Sequence, residues 1–231
     1  SYRFDSIAGA LQKYTQDILV AWARNALKAT KAKRMCLGGG VAMNVKAAME
    51  IAKLPELNEI FICPSPSDES LAIGAAYFAM HNICSSRGEN PALYLKPLQN
   101  AYLGPKARVE EIRKVVTQIH SKGYNIQEVV TPDLIARLLD DGKVIGRCVG
   151  RSEFGARALG NRSILADPRS QRVVKTINEK VKSRDFWMPF APSILKEEAD
   201  KYLVNPKMLQ APYMTVAFET KQDVWKNIKA A

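Results

Sequence analysis

The chain has 231 residues, with 34 Lys and Arg against 23 Asp and Glu, two His and four Cys, and it is 47% hydrophobic and 25% charged. That balance gives enough chain for one large domain or two small ones and excludes disordered, collagen-like and disulfide-scaffold classes. The longest nearly apolar stretch, Leu71 to Met80, is ten residues, short of the roughly 20 a bilayer-crossing helix needs. The opening Ser-Tyr-Arg-Phe-Asp-Ser has no apolar targeting core and no initiator Met, so the expectation is a cytoplasmic fragment of something longer, not associated with membrane.

From Phe4 to Thr30 the apolar positions Ile7, Leu11, Tyr14, Ile18, Leu19, Trp22, Ala26 and Leu27 recur at three and four, which predicts a long amphipathic helix. Arg34 to Leu37 reads as a short buried strand running into Gly38-Gly39-Gly40 and a helix over Val41 to Ala52. Glu59 to Cys63 predicts a strand closed by Pro64 and Pro66, and Asp68 to Ile83 a helix rich in small residues. Residues 85–106 are rich in Gly, Pro and polar residues and predict a linker. Beyond it the pattern predicts a helix at 107–121, a strand at 124–130 and a helix opened by Thr131-Pro132, Thr131 capping and Pro132 in the first turn. A strand at 143–149 is followed by short mixed elements at 153–159, 163–166, 172–181, 191–195, 196–203 and 214–218. The order predicts an α/β fold of two units.

Cys36, Cys63, Cys84 and Cys148 make no Cys-x-x-Cys pair and have no His at metal spacing, so free, mostly buried thiols are expected. His81 and His120 are too few for a Ser-His-Asp site or a two-His metal site.

The net charge of +11 is uneven: residues 143–184 hold eleven Lys or Arg against three acids. These bases alternate with glycines and short apolar strands, an arrangement suited to an anion pocket as well as to a solvated face, because guanidinium forks and turn amides both match phosphate or carboxylate oxygens. Nucleic acid is disfavoured, since no aromatic falls between Phe154 and Phe186 to stack on bases.

Two turns carry the remaining signal. Cys36-Leu37-Gly38-Gly39-Gly40-Val41-Ala42-Met43-Asn44 joins strand to helix, where glycines admit a close ligand and a helix N-terminus offers amides; a ligand-free tight turn is the plain alternative. Pro64-Ser65-Pro66-Ser67-Asp68-Glu69-Ser70 lies at a second such junction, its acids fit either to cap the helix or to ligate a metal.

Taken together, Gly-Gly-Val-Ala-Met-Asn and Ser-Asp-Glu-Ser-Leu-Ala-Ile-Gly-Ala-Ala resemble the C-terminal lobe of the actin and sugar-kinase fold, and in detail the bacterial O-carbamoyltransferases of the nodulation-protein and cephamycin type, cousins of the tRNA threonylcarbamoyl transferases. Gly150-Arg151-Ser152-Glu153-Phe154-Gly155-Ala156-Arg157-Ala158-Leu159-Gly160-Asn161-Arg162-Ser163 through Pro168, Asn178 to Arg184, and Phe186 to Ser193 are similar to that family's C-terminal domain, with departures at Ala156, usually Pro, and Met188, often Arg. The resemblance covers essentially the whole chain and implies a partial actin-like (ribonuclease H-like) lobe over residues 1–95 and a truncated YrdC-like α/β domain over 96–231. It also implies an ATP-dependent enzyme that turns carbamoyl phosphate into a carbamoyl adenylate and passes the carbamoyl group to a small-molecule hydroxyl.

Carried over by position, Gly39, Gly40 and Asn44 would contact the nucleotide. Asp68 would be this lobe's carboxylate for a divalent ion, iron being the expected one, its paired histidine ligands belonging to a missing N-terminal lobe. Arg157 and Arg162 would be catalytic, with Ser163, Lys180 and Arg184 holding the donor and ATP phosphates; the arginines are expected to converge on one pocket. The fragment alone is expected to be inactive. An RNA-associated module related to the tRNA-modifying cousins is the alternative, and a sugar-kinase-like lobe joined to an interaction domain a third.

Overall fold

A computed structural model describes residues 3–127 and 129–230. The chain divides into two compact units, and neither is continuous in sequence. The first comprises residues up to Ala101 with Phe154–Arg157 and Asn205–Phe218; the second comprises Tyr102–Glu153, Ala158–Val204 and the chain from Glu219 onward.

In the first unit, α1 (Phe4–Thr30) leads to β1 (Arg34–Leu37), a 3-10 turn at Gly40–Met43, α2 (Val45–Ala52), β2 (Glu59–Ile62), a 3-10 turn at Asp68–Ser70 and α3 (Leu71–Ser86). β1 and β2 pair in parallel, Arg34 opposite Glu59 and Leu37 opposite Ile62, as a helical crossover between two strands permits. The core joins Ala23 and Leu27 of α1, Ala48, Ile51 and Ala52 of α2, Leu54, Leu57, and Ile60 and Ile62 of β2, with Leu209 and Val216 of the late segment packed against it. Only the C-terminal part of α1 is therefore buried. Phe4, Ile7, Leu11, Tyr14, Ile18 and Trp22 repeat at helical spacing yet stay exposed, since among the described residues no element covers that stripe. The helix expected from Val41 begins at Val45, because Gly39 sits at φ +92° and the chain makes a 3-10 turn before Asn44 caps α2.

The second unit holds α4 (Val109–His120), α5 (Pro132–Asp140), β3 (Ile145–Cys148), β4 (Arg162–Leu165), α6 (Arg172–Thr176), a wide π-type turn at Ile177–Val181, α7 (Ala199–Tyr202), β5 (Leu203–Val204) and β6 (Glu219–Thr220). β3 and β4 are antiparallel with Cys148 opposite Arg162, as are β5 and β6. Thr131 caps α5 as expected, its Oγ1 accepting the Leu134 amide at 3.3 Å. The fold is mixed α/β with small sheets, in line with the expected class.

Three expectations are corrected. The strand expected at 124–130 does not form: Tyr124–Gln127 and Val129–Val130 are irregular, and Glu128 lies outside the described residues. β-Prone residues without a neighbouring ladder do not make a strand. Residues 191–195 are also irregular, with Pro189 and Pro192 removing backbone donors there. Of the four free thiols only Cys84 is buried; Cys36 and Cys148 are exposed and Cys63 is intermediate. Among the described residues, no helix is long and apolar enough to cross a membrane.

Candidate functional site

The glycine turn after β1 is tied to the proline turn after β2, the Gly39 amide donating to the Pro66 carbonyl at 2.7 Å. A Cβ at Gly38 or Gly39 would project into open space, whereas one at Gly40 would touch Ser67 Oγ at 3.6 Å. Asn44 is held locally by three side-chain hydrogen bonds. Its Oδ1 accepts the Ala47 amide at 3.1 Å, and its amide exchanges two hydrogen bonds with Gln12 of α1 at 3.0 and 3.1 Å. Beside the turn runs a groove of about 200 Å³, its mostly apolar walls including Leu19, Trp22, Met35, Val41 and Ala47, with Gly38 and Asn44 also on its lining.

Asp68 is exposed and opens the 3-10 turn into α3. The Glu69 carboxylate accepts a hydrogen bond from buried Ser65 at 3.0 Å. Among the described residues no three His, Cys, Asp or Glu gather at metal-binding distance. A divalent ion takes three or more ligands, so the described residues do not by themselves make up such a site, of which Asp68 is the one carboxylate this chain is expected to contribute.

The long motif enters both units. Phe154–Arg157 belongs to the first, where the Phe154 amide donates to the Ala101 carbonyl at 2.6 Å. Gly155 lies at φ +101°, and a Cβ there would stand 3.0 Å from the Pro64 carbonyl and 3.1 Å from Ser65 Cβ. Only glycine fits this backbone and this approach. Two residues on, Arg157 is half-buried and makes no hydrogen bond or ion pair among the described residues.

Arg162 and Ser163 lie in the second unit, at the start of β4. Arg162 donates through Nη1 to the Val149 carbonyl at 2.6 Å and the Asn161 carbonyl at 3.0 Å, and through Nη2 to the Gly150 carbonyl at 3.3 Å. Ser163 Oγ accepts the Gly160 amide at 3.0 Å. Lys180 is exposed on the π-type turn. Arg184 donates through Nε to Asn178 Oδ1 at 2.6 Å and stacks on Phe190, its guanidinium carbon 4.7 Å from the ring centre. The structure thus places Gly39, Gly40, Asn44, Asp68 and Arg157 in the first unit and Arg162, Ser163, Lys180 and Arg184 in the second.

Two residues inside the quoted motifs organise these turns, and neither stands among the expected site residues. Glu153 Oε1 accepts the amides of Leu159, Asn161 and Arg162 at 2.9, 2.7 and 3.0 Å. Burial is the largest single influence on this carboxyl and pushes it up, but the backbone amides together outweigh burial and hold it below the usual carboxylate range. Asn178, with no exposed surface, donates to the Phe186 and Met188 carbonyls at 3.0 and 2.9 Å while accepting from Arg184. The available signal was a carboxylate and an amide amid glycines, bases and apolar residues, where buried polar groups need partners.

Residues 2–77 match the family described as carbamoyltransferase N-terminus, and residues 136–231 the one described as carbamoyltransferase C-terminus. This chain belongs to the carbamoyltransferase family. It is similar to nodulation protein NolO of Bradyrhizobium diazoefficiens, 35% identical over 94% of this chain and 39% of that protein. It is likewise similar to nodulation protein NolNO of Sinorhizobium fredii, 34% identical over 94% of this chain and 31% of the relative, and to an uncharacterized protein of Methanocaldococcus jannaschii, 31% identical over 98% and 37%. The chain spans less than two fifths of the length of each of these relatives.

Proposed function

We propose that this chain is part of an ATP-dependent O-carbamoyltransferase that activates carbamoyl phosphate as a carbamoyl adenylate and transfers the carbamoyl group to a substrate hydroxyl. On this reading residues 1–95 are the second lobe of an actin-like domain and residues 96–231 part of a YrdC-like domain. Family membership supports carbamoyl transfer. The observation that carries the assignment of an anionic donor is Arg157, a half-buried guanidinium without a partner among the described residues, in a segment seated on the Pro64–Ser65 turn. A cation withdrawn from water calls for an opposite charge, and phosphoryl or acyl-phosphate chemistry depends on neutralising anionic oxygens.

The open space at Gly38 and Gly39 beside an apolar groove suits a nucleotide, its flat base against Leu19 and Val41 and its polar part at the turn. Arg162, Ser163, Lys180 and Arg184 supply the cationic and hydroxyl groups of the second unit toward donor and ATP phosphates, Arg184 with Nη1 and Nη2 left over from its bond to Asn178.

Calorimetry of the full chain with ATP and with carbamoyl phosphate at millimolar concentration tests this reading. Weak binding of both is expected, with carbamoyl phosphate lost in Arg157→Ala. Absence of heat with either ligand, or no change in Arg157→Ala, overturns it. Binding should fall only modestly between low and moderate salt; a steep fall together with RNA binding would favour the nucleic-acid alternative.

A further inference from the structure

Resting on the carbamoyl-donor reading above, we infer that Glu153 is a positioning residue of the second unit: its carboxylate gathers the amides of the 159–162 turn and thereby presents Arg162 and Ser163 in one fixed arrangement.

Every amide of that turn is accounted for. Leu159, Asn161 and Arg162 donate to the same Glu153 oxygen, and Gly160, at φ +106°, donates to Ser163 Oγ. The successive Asn161 and Arg162 amides, joined by that of Leu159, converge on one anion in the manner of a nest, and charge-assisted bonds of this kind are roughly twice as strong as neutral ones. Glu153 has no ion-pair partner among the described residues, so it is the turn itself that satisfies its charge.

The flanks are fixed as well. Asn161 Nδ2 donates to the Arg151 carbonyl at 2.8 Å, the Tyr102 hydroxyl to the Leu159 carbonyl at 2.8 Å, and the Val149 amide to the Asn161 carbonyl at 3.0 Å. The Arg162 guanidinium closes the same loop from its other side through the carbonyls of Val149 and Gly150. A site whose groups are held before the ligand arrives loses less ordering entropy on binding. Glu153 touches neither substrate nor reacting atoms on this account. It acts through Arg162 and Ser163.

The alternative role for a carboxylate in an anion nest is a place-holder that the donor must displace, and the two roles predict opposite signs. Wild type, Glu153→Gln and Glu153→Ala of the full chain are compared by amide hydrogen exchange followed by NMR and by calorimetry with carbamoyl phosphate and ATP. Glu153→Gln keeps an oxygen for the three amides. It should retain protection at Leu159, Asn161 and Arg162 and weaken donor binding no more than about tenfold. Glu153→Ala should lose that protection selectively, with α4 and α5 unchanged, and weaken binding about a hundredfold.

Unchanged protection in Glu153→Ala overturns the assignment, as does tighter donor binding in Glu153→Gln. If wild type binds neither ligand, the carbamoyl-donor reading fails separately, and the assignment is then decided by amide protection alone: selective loss in Glu153→Ala with rescue in Glu153→Gln upholds it, and any other pattern overturns it. Should Glu153→Ala not fold, Glu153→Asp, one methylene short of the nest, takes its place with the same criteria.

Discussion

Asn178 illustrates how much one polar side chain decides. It donates to the carbonyls eight and ten residues further along and accepts from Arg184, all without exposed surface of its own. Its main-chain carbonyl also accepts the Arg184 amide at 3.0 Å. Replacing it with Ala removes three part-buried bonds, to the Phe186 and Met188 carbonyls and from the Arg184 guanidinium, each contributing about 0.5 to 1.5 kcal/mol. Asn178→Ala should therefore lower second-unit stability by about 3 kcal/mol, read as an earlier unfolding transition in denaturant. A midpoint within experimental scatter of wild type would show that the loop from Phe186 to Met188 is held by something else. The sequence displayed Asn178 and Glu153 inside their motifs but not their roles, because their partners are main-chain groups, and main-chain atoms have no identity to read.

At the scale of elements, what proved legible was whatever depends on neighbours in sequence. The period of α1 and the Thr131 cap with Pro132 behind it rest on contacts three or four residues apart. What failed was non-local. The described residues of the 124–130 segment are β-prone but have no ladder partner, and the apolar stripe of α1 reads as a buried face although Ile7, Leu11 and Trp22 remain exposed. Equally illegible was the return of Phe154–Arg157 to the first unit, which depends on the absence of a side chain at Gly155. That dependence can be measured. Gly155→Ala adds a Cβ at φ +101° within 3.0 to 3.1 Å of Pro64 and Ser65. Strain of this kind costs about 1 to 3 kcal/mol, so first-unit stability should fall by about 2 kcal/mol and Arg157-dependent carbamoyl phosphate binding should weaken with it. Unaltered binding and stability would mean that Arg157 is placed independently of Gly155.

On the scale of the whole molecule, the first unit is completed by residues far along the chain. Asn205–Phe218 belongs to it, Leu209 and Val216 pack on its core, and the Tyr213 hydroxyl donates to the Leu98 carbonyl at 3.1 Å. The most concentrated contact is Lys207. Its Nζ donates to the carbonyls of Ala52, Leu54 and Leu57 at 2.8, 2.5 and 2.8 Å, gathering the last carbonyl of α2 and two of the turn that follows it. A cation at a helix C-terminus also meets the favourable end of its dipole, while burial lowers the Lys207 ammonium below its ordinary value, an effect that the nearby Glu56 opposes. Lys207→Met keeps the apolar stem and removes the three bonds, so it isolates the polar contribution, for which about 2 kcal/mol is expected. The loss should appear as faster amide exchange at Leu54 and Leu57, whose own amides lie in the capped turn, while β3 and β4 in the second unit keep their protection. If exchange instead rises equally in both units, the late segment is not a local clamp on α2, and the two units unfold as a single cooperative body.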